Sequence, residues 1–330
     1  MRKHNQIQKT ITDLINEGVL WGASYGFVGQ TKEVFYEGVQ GGEKPWSERR
    51  IEAGMLYDLA SVSKVVGTTT RILQLIDQNE IGFDTPVKKL LPAFVHPQVT
   101  VSHLLLHNSG LPGDLSGKYQ MSRERLLKEL YALPLQTEPG SQICYSDAGY
   151  ILLGLIIQAV EQYSLEESMQ KNIFKPLGMK NTSYHPQVSI ERFLPEERRK
   201  DRGMVCGKVH DSKAYLLGES GSAGLFSTLD DLLIFAEHYL AQDSILFSRR
   251  IFQKILETEV GGRGYGWNLE YGKGILYHTG FTGTSMLLDM KNGEGFVLLT
   301  NRIHPSRQNT IFLEKRRELN RMWLTAADGL

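Results

Sequence analysis

Strand-like patterns sit near the two ends of this chain and not in its middle, and that distribution limits the fold more than any other feature. Ile7, Ile11, Leu14 and Ile15 recur at helical spacing, and Gly18 then Gly22 close this first helix. Residues 23–28 and 33–39 read as strands linked by the turn-like Gly29-Gln30-Thr31-Lys32, which predicts a hairpin. Near the other end, residues 285–290 and 296–300 flank Lys291-Asn292-Gly293-Glu294-Gly295, and Asn-Gly between apolar runs is a strong hairpin signal. The last twenty residues read as helix. From roughly Leu73 to Tyr215, helical patterns and polar loops dominate, with Pro86, Pro92, Pro97, Pro112, Pro134 and Pro139 keeping the elements short. The pattern predicts an α/β fold whose antiparallel sheet is flanked by helices and built from both chain termini, with a mostly helical domain inserted. The expected boundaries are 1–72 with 216–330 for the α/β domain and 73–215 for the insertion. A chain of 330 residues suits one large domain or two intimately packed ones.

Charge narrows the partners. Lys plus Arg and Asp plus Glu each total 37, so nothing in the balance favours nucleic acid, and a small or locally charged substrate is expected. The two cysteines, Cys144 and Cys206, have no metal-ligand spacing, so neither a disulfide framework nor a zinc cluster is expected, and no residue pattern calls for a cofactor. Residues 1–20 mix charged and apolar side chains and lack the continuous apolar core of a signal peptide, and no later run is long enough to span a membrane. The expected location is therefore cytoplasmic, or extracytoplasmic if a leader is missing from the chain. Oligomeric state is open.

Three short motifs can carry chemistry. Ser61-Val62-Ser63-Lys64 precedes an apolar run that reads as a buried helix starting near the serine. Residues three apart share a helix face, so Lys64 can approach the Ser61 hydroxyl, and the helix end favours a developing anion. Ser-x-x-Lys alone is weak, since a chain of this length holds about one by chance. Tyr145-Ser146-Asp147 follows the turn Glu138-Pro139-Gly140 and opens an apolar helix, placing Tyr145 on a loop that can overhang a cleft. An adjacent ammonium favours the phenolate, so a tyrosine beside Lys64 can take the serine proton; the bland alternative is a loop tyrosine packed on a helix start. His278-Thr279-Gly280 ends a strand-like segment, where an edge strand and a glycine offer backbone N–H groups to a substrate carbonyl.

In this order the three motifs resemble the signature of the serine β-lactamase and penicillin-binding protein superfamily, and especially its class C β-lactamase-like branch. Segments 84–92, 103–112, 176–179, 221–228 and 300–302 resemble that branch's structural loops, so the similarity covers nearly the whole chain. The resemblance implies a β-lactamase/transpeptidase-like fold with a cleft between its two parts. It implies acylation of Ser61, proton transfer by Lys64 and Tyr145, an oxyanion hole from the backbone N–H groups of Ser61 and Phe281, and no metal. It also implies a small-molecule or cell-wall-derived substrate.

Two departures bear on specificity. Asp147 stands where β-lactamases often have Asn, which exchanges an amide donor for a carboxylate and favours a substrate ammonium. His278 stands where many penicillin-binding proteins have Lys, giving a group expected to titrate near neutrality and weaker recognition of a lactam carboxylate. Asp147, His278, Thr279 and Gly280 are thus the expected substrate-binding residues. The leading expectation is hydrolysis of D-alanyl esters or peptides or of small esters. The alternatives are a class C-like β-lactamase or DD-carboxypeptidase, and, outside enzymes, a non-catalytic penicillin-binding or sensor module. His210-Asp211 is expected to make structural hydrogen bonds, and Cys144 to pack.

Overall fold

The computed structural model describes residues 2–114 and 121–325. Five strands, β1 (Gly22–Val28), β2 (Glu33–Gly38), β3 (Ile275–Thr279), β4 (Ser285–Asp289) and β5 (Glu294–Leu299), form one antiparallel sheet in the order β2-β1-β5-β4-β3. Both predicted hairpins form, and the two chain ends join where β1 pairs with β5, with Tyr25 opposite Leu298. The helices that frame the sheet and the cleft are α1 (Arg2–Asn16), α2 (Thr70–Asp77), α3 (Asp147–Glu161), α4 (Leu229–Leu240) and α5 (Ile311–Thr325). Residues 326–330, part of the predicted C-terminal helix, lie outside the described residues.

Because side chains alternate across a strand, each sheet face needs its own cover. On one face Ile7, Ile11 and Leu14 of α1 and Phe312, Leu319 and Trp323 of α5 bury Tyr25, Phe27, Leu287 and Phe296. On the other, α4 packs on β1 and β5, and Gly26 admits Leu233 so closely that a Cβ there would lie 2.9 Å from its methyl group. That second core runs on without a break into the helical region, where Ile72, Leu75, Leu104, Tyr150, Leu153 and Phe174 belong to it. Ile72, Leu73 and Leu75, on either side of the expected boundary near residue 72, therefore share one apolar cluster.

One local expectation changes. The helix expected to start regularly at Ser61 opens as a 3-10 turn, Ala60–Val62, widens into π turns over Lys64–Thr69, and is α-helical only from Thr70. The widened stretch is wholly buried; Thr70 Oγ1 donates to Val65 O at 2.7 Å, and Gly67 is pressed against Met169 and Leu225. Tertiary packing thus overrides the regular 3.6-residue repeat. The strand-like segment that leads into His278-Thr279-Gly280 runs on through His278 and Thr279 as β3, held by pairing to Met286 and Ser285. β3 is an edge strand of the sheet, and Asn268 covers it only at Tyr277, through bonds of 2.9 and 3.1 Å.

Candidate active site

The cleft begins at a strained turn. Ala60 has φ of 45°, a left-handed conformation uncommon for a residue with a Cβ, and it directs Ser61, which is partly exposed, toward a cavity of about 470 Å³. Buried Asp58 holds that turn, accepting from Ala60 N at 2.8 Å and from His210 N at 2.7 Å. Burial pushes the Asp58 carboxyl up to about 6, against the pull of those two N–H groups.

Lys64, fully buried, is one turn further along the same segment. Its Nζ donates to Ser61 Oγ at 3.0 Å, Asp147 Oδ1 at 2.8 Å and Ser222 O at 2.6 Å. Burial alone draws a lysine toward its neutral form, but the Asp147 carboxylate and Tyr145 outweigh it, so Lys64 is held above the usual lysine range as an ammonium.

Tyr145 lies on the loop that leads into α3, and the main chain there is fastened to His107: Cys144 N donates to His107 O at 2.8 Å and Ser146 N to His107 Nδ1 at 3.0 Å. The His107 ring stands between Tyr145 and Tyr150, with ring centroids 4.5 and 4.9 Å away. Burial keeps His107 neutral. Lys64 Nζ is 5.1 Å and the Arg263 guanidinium 5.4 Å from the centre of the Tyr145 ring, so two cations face one phenol. Cys144, expected to pack, is only half-buried.

The opposite wall is the end of β3 and its turn. Gly280 N donates to Thr284 O at 2.7 Å, and Thr282 and Thr284 hydroxyls donate to Asp58 O and Leu59 O at 2.8 and 3.0 Å, which fixes this turn to the Ser61 segment. Among the described residues, neither the Ser61 nor the Phe281 backbone N–H has an intramolecular acceptor. Both line the cavity together with Tyr145, Asp147, Thr279 and Gly280. His278 instead faces a smaller adjoining cavity of about 230 Å³, shared with Tyr145, Arg263, Asn268 and Thr279.

Geometry corrects the charge assigned to two residues. His278 is not a group that titrates near neutrality: burial, then Lys64 and Arg263, push it well below the usual histidine range and leave it uncharged. Asp147 does not offer an open carboxylate to a substrate ammonium. Its Oδ1 is taken by Lys64 and its Oδ2 lies 3.2 Å from Lys213 Nζ, and although burial opposes ionisation, these two cations hold the carboxyl below the usual range.

Several lining residues stand outside the three motifs. Lys213 sits in a polar stretch that gives no hint of burial, yet it is 1% exposed. Arg302 and Arg316 are 4% and 8% exposed, and their guanidinium groups bond only to main-chain carbonyls, Arg307 and Asn309 for the first, Gly280 and Thr284 for the second. Among the described residues neither has a carboxylate within 4 Å. His210 does make structural bonds, to Asp58 and, through Nε2, to Glu197 at 2.9 Å, and its ring also stacks on Phe281 at 5.6 Å. Asp211 caps the helix Ser212–Leu217. No local pattern in the sequence marks Lys213 as buried.

Residues 7–317 match the family described as Beta-lactamase. The chain is 28% identical over 334 residues to the N-acetylmuramyl-L-alanine amidase of Bacillus subtilis (strain 168), covering 86% of this chain and 74% of the relative. It is 28% identical over 305 residues to a putative D-alanyl-D-alanine carboxypeptidase of Escherichia coli (strain K12), covering 76% and 70%. Its fold is similar to that of a solved class C beta-lactamase, with a TM-score of 0.80, 17% identity and 100% and 97% of the two chains covered. With a sheet made from both chain ends, a cleft behind it and a family match across almost the whole length, the chain belongs to the Beta-lactamase family of hydrolases, within the serine β-lactamase and penicillin-binding protein superfamily.

Proposed function

We propose that this protein is a serine hydrolase that forms an acyl-enzyme on Ser61 and hydrolyses D-alanyl esters or peptides, or small esters. The observation that carries the reading is the 3.0 Å approach of Lys64 Nζ to Ser61 Oγ in a cleft whose rim holds two uncommitted N–H groups. Lys64 donates to the serine oxygen, so the hydroxyl proton of Ser61 is directed elsewhere, and Tyr145 on the cleft rim is the acceptor within the same pair. As Ser61 Oγ bonds to the substrate carbonyl carbon, that proton passes to the phenolate oxygen of Tyr145 in the form of the Lys64–Tyr145 pair that has already released one proton. The carbonyl oxygen takes up the electron pair and is met by the N–H groups of Ser61 and Phe281. Collapse breaks the bond to the leaving group, which leaves with the proton. A water then repeats the sequence on the acyl-serine ester, giving acid product and free Ser61. The curated relatives, named as a muramyl amidase and a D-alanyl carboxypeptidase, support a cell-wall-derived substrate.

A second reading, a carboxylate-bearing substrate turned over by a DD-carboxypeptidase or class C-like β-lactamase activity, is favoured by the uncompensated Arg302 and Arg316 in the cleft wall. Buried cations without a paired anion are costly, and a substrate carboxylate relieves that cost.

The test has two stages. A fluorophosphonate probe is expected to add one label to the wild-type protein by intact mass, mapping to Ser61, and none to Ser61→Ala. A label on Ser63, Ser109 or Ser146 would reject the nucleophile. Turnover is then compared for a D-alanyl ester, a D-alanyl-D-alanine peptide, a p-nitrophenyl ester and benzylpenicillin. The first reading expects ester or D-alanyl substrates to exceed benzylpenicillin at least about tenfold in kcat/KM, about 1.4 kcal/mol in barrier. The reverse order selects the second.

A further inference from the structure

Lys213 is a buried cation that the chemistry above leaves unused. Its Nζ lies 2.8 Å from Asp114, 3.2 Å from Asp147 Oδ2 and 3.5 Å from Asp211. Burial draws it toward the neutral form, but Asp211, Asp147 and Asp114 outweigh burial and keep it charged. Asp147 consequently stands between two ammonium groups, with Lys64 at 2.8 Å on one oxygen and Lys213 on the other.

Resting on the assignment of Ser61 as nucleophile, we propose that Lys213 is a positioning residue for catalysis, which shares the charge of Asp147 and so sets how tightly Lys64 and Tyr145 hold the proton that comes from Ser61.

A carboxylate turned wholly toward Lys64 would hold its ammonium proton more tightly still, because attraction between buried charges is far stronger than in water. The titratable and charged groups around Lys64 come from every neighbouring element. Asp147 and Tyr150 belong to α3, Tyr145 to the loop before it, His278 to β3 and His107 to the segment after residue 105, while Arg263 lies over Tyr145. Both histidines are neutral, and among the described residues Asp147 is the carboxylate that pairs with Lys64. The balance at Lys64 is therefore set mainly through Asp147, whose other oxygen faces Lys213. Asp114 and Asp211 hold Lys213 in place without approaching Lys64 within ion-pair distance.

The experiment is the pH dependence of kcat/KM for p-nitrophenyl acetate on the whole chain. Its acid limb reports loss of a proton from the Lys64–Tyr145 pair. Removing Lys213 leaves the full charge of Asp147 on Lys64, the pair holds its proton more tightly, and the limb moves to higher pH. For Lys213→Met the expected shift is about one pH unit, with about a tenfold loss of rate below the limb and little above it. Lys213→Arg keeps the charge and keeps the limb. In an Asp147→Asn background the same Lys213→Met change moves the limb less than half as far, because the shared carboxylate is gone. Lys213→Gln, which retains a donor toward Asp147, carries the test if the methionine variant does not fold. An unmoved limb in either folded variant, or equal shifts in both backgrounds, overturns the proposal. Fluorophosphonate labelling of the wild type, run alongside, separates the two claims: no label on Ser61 rejects the nucleophile itself, whereas normal labelling with a limb indifferent to residue 213 rejects only the role of Lys213.

Discussion

At the scale of single residues, the charges nearest Ser61 pair with one another before any substrate arrives. Lys64 donates to an alcohol, a carboxylate and a carbonyl at once, and Asp147 accepts from two lysines. The motif residues Ser61, Lys64 and Tyr145 were legible because their types and order are unusual in combination. The cations around them were not, since Lys213 and Arg263 lie in segments with no motif and reach the cleft only through the fold. His278 shows the same limit. Its chemical type suggested a group that switches near neutrality, but burial beside two cations keeps it uncharged. Replacement by glutamine, His278→Gln, is accordingly expected to leave both limbs of the kcat/KM profile between pH 5 and 8 within a few tenths of a unit. A limb displaced by half a unit or more would show that His278 does titrate in that range.

At the scale of elements, the site depends on two pieces of backbone that approach each other closely. A Cβ added at Gly280 would lie 2.1 Å from Thr284 Oγ1 and 2.5 Å from Leu59 O, so β3 can meet the Ser61 segment only because residue 280 has no side chain. Gly280→Ala must push the β3–β4 turn away from Ser61 and move the Phe281 N–H off the oxyanion position proposed for it. The expected result is a loss in kcat of at least about tenfold, while the loss of stability stays near that of an ordinary overpacked site, about 1–3 kcal/mol. The kinetic loss is read from kcat and the stability from urea unfolding. A variant with normal kcat would remove the Phe281 N–H from the mechanism. The hairpins and the first helix were predictable because turn residues and apolar period are local signals. The 3-10 and π segments around Ser61 were not, because the residues themselves are compatible with a regular helix and the distortion comes from what packs against Gly67 and Thr70.

At the scale of the whole molecule, the two larger apolar cores are divided by one sheet. The core that holds α1 and α5 lies on the face away from Lys64, whereas the other runs under the site through Val62, Val65 and Tyr150. Stability and activity should therefore be separable. Ile11→Ala deletes a fully buried side chain of α1 and is expected to cost about 2–5 kcal/mol in denaturant unfolding, with the rate of Ser61 labelling per folded molecule unchanged. A labelling rate that falls in proportion to stability would mean that the outer core also sets the cleft geometry. α5 is the element that joins the two scales, because Phe312, Leu319 and Trp323 sit in the outer core while Arg316 donates to the carbonyls of Gly280 and Thr284.

The antiparallel hairpins at both ends, the helical middle, the three motifs of the proposed site and the family they resemble could all be read from the residues alone. Each of these is written in local periodicity, turn chemistry or short-range spacing. Only the tertiary structure decided the charge state of the site. Lys64 and Asp147 are 83 positions apart and Lys213 approaches Asp147 from a separate helix, and whether such groups are charged depends on burial and on neighbours that no local pattern encodes.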